Sequence, residues 1–171
     1  CLTPQWGAAQ PETRELFETI GSTLSRAGAK VGSTSLPFDF GVLADAQSTI
    51  WDYEMARCLA DERRRHRDRI RERLLKQLDG GAEIPFEDWS SAQDRARACR
   101  RQLSDALGEF DALVVPSAPG EAPLGLEATG NPVFNRIWTL LHGPAVHVPT
   151  SRGPSGLPLG VQVVGRIGDD A

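Results

Sequence analysis

The sequence predicts an α/β domain, mainly helical over residues 1–109 and strand-rich over residues 110–171. Three observations carry that reading. Near the start, a one-sided apolar stripe stops at a glycine and runs into a short extended segment, a helix–turn–strand unit. Two later stretches before residue 110 place apolar residues at helical spacing. Beyond residue 110, short apolar runs alternate with proline- and glycine-rich turns, and two of these runs are spaced as a hairpin.

Taken in order, residues 1–10, with Pro4 and Trp6, read as loop. Pro11 and Glu12 suit the first turn of a helix, and Leu16, Ile20, Leu24 and Ala27 give it an apolar stripe. Gly28 stops it, and Ala29, Lys30 and Val31 predict a short strand ending by Leu36 and Pro37. Residues 38–78 predict a long, mostly helical stretch with Ile50, Tyr53, Glu54, Arg57 and Cys58 on one face; Gly80 and Gly81 are expected to break it. A second helix is expected over residues 86–107, with Ala92, Ala96, Cys99, Leu103 and Leu107 at the 3.6 period. Residues 111–116 predict a buried strand, 116–130 a loop and 134–142 a helix. Residues 145–149 and 159–165 predict a hairpin about a turn at 152–156.

With 171 residues, the chain is long enough for one domain with a core, burying roughly 70% of its unfolded surface. Apolar residues at 40% and charged residues at 25% are ordinary for a globular protein. No apolar run approaches the roughly 20 residues a bilayer requires, and the start lacks the pattern of a secretory signal. A net charge of -4 argues against a dedicated nucleic-acid binder. Cys1, Cys58 and Cys99 have no metal-ligand spacing; Cys58 and Cys99 read as buried or half-buried thiols, which fits a reducing cytoplasm. The start at Cys1 and the end at Asp169, Asp170 and Ala171 give the expectation of a piece of a longer protein.

The last third carries an ordered series of short motifs. It reads Phe110-Asp111-Ala112-Leu113-Val114-Val115-Pro116-Ser117-Ala118-Pro119, then Ala122-Pro123, then Thr129-Gly130-Asn131 and Phe134-Asn135-Arg136-Ile137-Trp138-Thr139. Gly143-Pro144-Ala145, Val148-Pro149 and Gly156-Leu157-Pro158-Leu159-Gly160-Val161-Gln162-Val163-Val164-Gly165 close it. In order and spacing this resembles the C-terminal region of the amidase-signature family, and the upstream part is loosely similar to the family's middle region. The resemblance implies a partial amidase-signature fold, a mixed sheet flanked by helices on both sides. It implies amide-bond hydrolysis by a lysine, a serine with a cis peptide and a nucleophilic serine, all N-terminal to the region represented here.

Amide hydrolysis needs a nucleophile, a group to deprotonate it and donors for the oxyanion. The lysines are Lys30 and Lys76; Ser90 and Ser91 lack glycine neighbours, and Ser155 lies in a turn-rich run outside any nucleophile elbow. No catalytic residue is therefore assigned within the chain, which alone is expected to be inactive. The resemblance implies that this part supplies some pocket wall, for which Asn135, Trp138, Thr139 and His142 are the candidates. Packing on a short helix is the competing reading for these four. Ser117 reads as a loop cap or a pocket residue. His142 and His147 read as structural, and one sheet face is expected to hide His147. No metal site and no cofactor are implied. The arginine-rich run from Arg57 to Lys76, interleaved with Asp61, Glu62, Asp68 and Glu72, reads as a solvated helix face with pairs such as Glu62–His66 and Arg64–Asp68.

The implied partners are a small-molecule amide substrate, the N-terminal half of the enzyme and, as an option, a homodimer; neither a membrane nor nucleic acid is expected. Three readings stand side by side. One is the C-terminal part of an amidase, favoured over the closely similar A-type component of a glutamine-dependent tRNA amidotransferase. The second is an inert fragment or scaffold that binds another chain. The third, resting on the arginine run, is a nucleic-acid-binding helical protein.

Overall fold

The structure, a computed structural model, describes residues 3–168. The chain forms two compact units, one of residues 3–38 with 101–168, the other Asp39–Arg100.

In the first unit, a 3-10 turn at Pro4–Ala8 leads into α1, Pro11–Arg26. Pro11 occupies the first turn, where a missing N–H costs nothing, and Glu12 complements the positive helix end. Arg14 Nε reaches back to the Ala9 carbonyl at 2.8 Å. Gly28, at φ +97°, takes the left-handed conformation that ends the helix. Leu16, Ile20 and Leu24 are half-buried, as the stripe predicts, whereas Ala27 caps the helix and is exposed. The strand expected at Ala29–Val31 is absent: residues 29–36 have no regular structure and are mostly exposed. A strand needs a neighbour for its backbone groups, and no described strand pairs with this segment.

The sheet consists of β1 (Leu113–Pro116), β2 (Ala145–Arg152) and β3 (Pro158–Val164) in the order β1-β3-β2. Both pairings among the described residues are antiparallel, with Val115 and His147 on either side of Gln162. The β2–β3 hairpin is the one expected, extended to Arg152 and Pro158, with a register shift between Pro149 and Ser151. Its turn is closed by the Gly153 N–H donating to the Leu157 carbonyl at 2.9 Å. Leu103, Val115, Trp138, Leu141 and Val164 are fully buried in this unit. Beyond β3, Arg166 donates to the carbonyls of Leu107 (3.2 Å) and Phe110 (2.9 Å), closing the segment that leads into β1.

The second unit is helical. Asp39 caps α2 (Phe40–Cys58), accepting from the N–H groups of Gly41 (2.7 Å) and Val42 (3.2 Å). Then come α3 (Ala60–Arg65), a 3-10 turn at Arg67–Arg69 and α4 (Glu72–Glu83). The last helix, α5 (Phe86–Ala106), contributes its residues up to Arg100 to this unit and the rest to the first. Ala92, Ala96, Leu103 and Leu107 are buried and Cys99 is half-buried, as the helical period requires. Burial raises the Cys99 thiol pKa.

Three expectations are corrected here. Gly80 and Gly81 lie inside α4 rather than ending a helix. Gly81 is where α4 crosses α2, and a Cβ there would collide with the Asp52 carbonyl. Cys58 is exposed, because the buried face of α2 runs through Leu43, Ala46 and Ile50. The helix also breaks at His66, so Arg64 and Asp68 lose their i,i+4 geometry. Instead Asp61 pairs with Arg64 (2.8 Å) and Arg65 (2.9 Å), and Asp79 with Arg67 (2.7 Å) and Arg63 (3.5 Å). The hydrogen bond from Arg67 holds the Asp79 carboxyl below its usual range against a smaller opposing desolvation. The arginine run is solvated, as expected, and water and salt screen such exposed pairs.

Candidate functional site

The four candidate pocket residues lie on or beside one short helix, α6 (Arg136–Leu141). Its sequence alternates polar and apolar residues at helical spacing, so the helix has two faces. Ile137, Trp138, Leu140 and Leu141 are buried. Asn135, Thr139 and His142, three or four residues apart, are exposed together on the other face. The structure thus brings three of the four together and turns Trp138, only 2% exposed, into the core.

Local hydrogen bonds fix this face. The Asn135 carbonyl accepts from the Thr139 N–H (3.3 Å) and hydroxyl (3.4 Å). His142 ends the helix at φ 57°, ψ 24°, the left-handed region where a side chain is uncommon. Its N–H donates to the Thr139 carbonyl, and the Gly143 N–H to that of Trp138, both at 3.3 Å. An amide, a hydroxyl and an imidazole are therefore presented on a backed, hydrogen-bonded turn. Such a face can orient a polar small molecule by hydrogen bonds. Occupation of a sparsely populated backbone region is itself a feature that clusters at functional sites.

The other candidates fall elsewhere. Ser117 is buried at the end of β1, its hydroxyl donating to the Gly160 carbonyl at 3.0 Å, which is a cap. Ser155 is a turn residue whose N–H donates to Glu121 at 3.1 Å. His147 is exposed, not hidden by a sheet face, because all of β2 is exposed. Among the described residues no cluster of three His, Cys, Asp or Glu side chains is placed to hold a metal ion. No described helix is long and apolar enough to cross a membrane. An open cleft of about 760 Å³ in the helical unit is lined by Ala60, Asp61, Arg63, Arg64, Arg67 and Asp79, whose acidic members are already paired with the arginines.

Two residues that sequence reasoning passes over stand out. Gln162, in the middle of the apolar run of β3, is 8% exposed, and its Oε1 accepts no hydrogen bond. A polar residue inside a valine-rich strand was the available signal. Glu121, in the loop after β1, accepts from the N–H groups of Ser155 (3.1 Å) and Leu157 (2.9 Å) and fastens that loop to the hairpin turn. Nothing in its local sequence announces a contact 34 residues away.

Helices around this sheet are an arrangement shared with solved amide-hydrolysing enzymes. A crystal structure of an amidase superposes on 97% of the chain with a TM-score of 0.86 at 27% identity, and the match covers 40% of that amidase. A 6-aminohexanoate cyclic dimer hydrolase shares the fold at a TM-score of 0.79 and 18% identity over 95% of the chain and 39% of the hydrolase. The family model described as Amidase matches residues 3–171, and the chain belongs to that family. Among curated relatives, a glutamyl-tRNA(Gln) amidotransferase component from Granulibacter bethesdensis is 28% identical over 93% of the chain and 38% of its own length. The corresponding amidotransferase component of Wolbachia pipientis subsp. Culex pipiens is 36% identical over 50% of the chain and 19% of its own length. The chain thus spans about two-fifths of the longer-matching relatives.

Proposed function

We propose that this chain is the C-terminal part of an amide-bond hydrolase, supplying sheet core and one wall of the substrate pocket while the catalytic lysine and serines come from outside it. The observation that carries this reading is the superposition on an amidase over 97% of the chain, at an identity of 27%. The wall is the exposed face of Asn135, Thr139 and His142, with Trp138 packed behind it as a rigid support. Amide and hydroxyl groups there can pair with the C=O and N–H of a small amide. Within the family, the A-type component of a tRNA-linked amidotransferase is the second reading, favoured by the names of the curated relatives.

The test is hydrolysis of a panel of small aliphatic and aryl amides, and of glutamine. The purified chain is expected to be inactive alone and active when combined with the polypeptide encoded upstream of it. Hydrolysis by the chain alone would overturn the placement of the catalytic groups outside it. Glutaminase activity confined to a complex with further protein chains would favour the second reading.

A further inference from the structure

We infer that the C-terminal turns of α2 hold a binding site for a small primary amine in its ammonium form, with the Glu54 carboxylate as hydrogen-bond acceptor and the Trp51 ring as apolar wall. The hydrolysis reading does not require this site, and its test involves no turnover.

The first observation is a concave spot of about 220 Å³ lined by Trp51, Glu54, Met55 and Cys58. Glu54, Met55 and Cys58 stand three, four and seven positions after Trp51, so one face of α2 presents them all. The buried face of the helix runs instead through Leu43, Ala46 and Ile50. Trp51 is 54% exposed and Cys58 is exposed, while Met55 is half-buried. A drug-sized ligand needs a pocket of about 300–1,000 Å³. This smaller one suits a molecule of one ring and a short chain.

The second observation is the setting of Glu54. Its Oε1 accepts from Trp89 Nε1 at 3.0 Å and from Gln93 Nε2 at 3.1 Å, both on α5. Trp89 is itself held, stacked on Tyr53 with ring centres 5.2 Å apart and tilted on Phe86 at 5.4 Å. Neutral donors on one oxygen thus orient the carboxylate, and Oε2 accepts from no described residue. Arg57, three residues on, is the cation a helix would ordinarily set against it. It is turned away, donating to the carbonyls of Tyr53 (3.0 Å) and Gly81 (3.3 Å) with its guanidinium over the Tyr53 ring. Among the described residues no cation pairs with Glu54. The C-terminal end of α2 adds the negative pole of its dipole. An oriented, unpaired carboxylate beside a tryptophan face is the chemistry that takes an organic ammonium. The ammonium N–H groups donate to Oε2, and the indole and the Met55 thioether cover the carbon body.

The test is titration of the purified chain with phenethylamine at neutral pH, read from the Trp51 indole and Cys58 amide resonances. A Kd on the order of 1 mM is expected for a ligand of this size. Glu54→Gln keeps an oxygen for Trp89 and Gln93 and is expected to weaken binding about tenfold or more. Trp51→Ala should weaken it about fivefold. Glu72→Gln, at an exposed acid on α4, should leave it unchanged. Phenethyl alcohol and phenylacetate, similar in shape but without the cation, should bind at least about tenfold more weakly. No shift as the amine is raised well past the expected Kd, equal binding of the alcohol, or an unaffected Glu54→Gln would overturn the inference. A lysine-containing peptide that binds more tightly than phenethylamine assigns the site to a protein partner and overturns the ligand class named here.

Discussion

Strands β3 and β2 are neighbours in one sheet and both carry valines, yet one is buried along most of its length and the other is bare. Hydrophobic sequence makes a strand able to be buried; what lies over it decides whether it is. β3 is flanked by β1 and β2 and belongs to the core with Val115 and Trp138. β2 has β3 on one side and, among the described residues, no strand on the other. The difference is one of cover, not of composition.

The largest expected effect tests the join between the two strands. A Cβ at Gly160 would collide with the Val148 carbonyl and stand 2.7 Å from His147 Cε1. Backbone cannot yield as a flexible side chain can, so Gly160→Ala is expected to cost about 3 kcal/mol. Thermal denaturation should show a fall of roughly 10 °C. An unchanged midpoint would mean that β2 is not held at this spacing.

A matched pair of truncations addresses the comparison directly. Val161→Ala, in the buried strand, is expected to cost about 2 kcal/mol in urea denaturation. Val146→Ala, in the bare one, is expected to stay within about 0.5 kcal/mol. Equal losses at the two positions would remove the distinction between the strands.

Much of this was legible in sequence, for reasons that are local. The hairpin follows from two apolar runs about a glycine-rich turn, and the buried stripe of α5 from a period kept from Ala92 to Leu107. Gly28 ends α1 because only its own backbone conformation is at issue. The misses are tertiary. Gly80 and Gly81 look like a helix stop, but the bare Cα of Gly81 serves a crossing with α2 that local sequence does not encode. Ala29–Val31 has strand composition and no partner. His147 alternates with valines as a half-hidden residue should, and nothing in the run says that neither face is covered. The candidate site divides in the same way. The exposed face of Asn135, Thr139 and His142 follows from spacing, whereas the burial of Trp138 and the contact of Glu121 with the hairpin depend on distant parts of the chain.

His142 offers a smaller test, set by two opposing terms. Holding a side chain in the left-handed region costs roughly 1–2 kcal/mol, which glycine avoids. Glycine also loosens the unfolded chain, at a cost of about 0.4–1 kcal/mol. The two backbone terms together favour His142→Gly by about 0.5 kcal/mol, against which stands the loss of the imidazole's own interaction. In the assembled enzyme the substitution should raise KM for small amides if the imidazole belongs to the pocket wall. A folded variant with unchanged KM would place His142 outside that wall.

The smallest effect concerns what holds the leucine-bearing loop to the hairpin. Desolvation pushes the Glu121 carboxyl upward, but hydrogen bonds from Ser155 and Leu157 together outweigh it and hold the group below its ordinary value. A carboxyl lowered in the folded state contributes stability that is complete above its unfolded value of about 4.3 and is lost as pH falls through the folded value. The amide resonances of Ser155 and Leu157 should therefore titrate with a midpoint below the ordinary glutamate value, while those of Val146 and Val148 stay still. Glu121→Gln should abolish the titration and partly release the turn, since a neutral amide oxygen is a weaker acceptor than a carboxylate. A midpoint at or above the ordinary glutamate value would mean that the carboxylate does not hold the turn, and the loop would then owe its place at the hairpin turn to something other than Glu121.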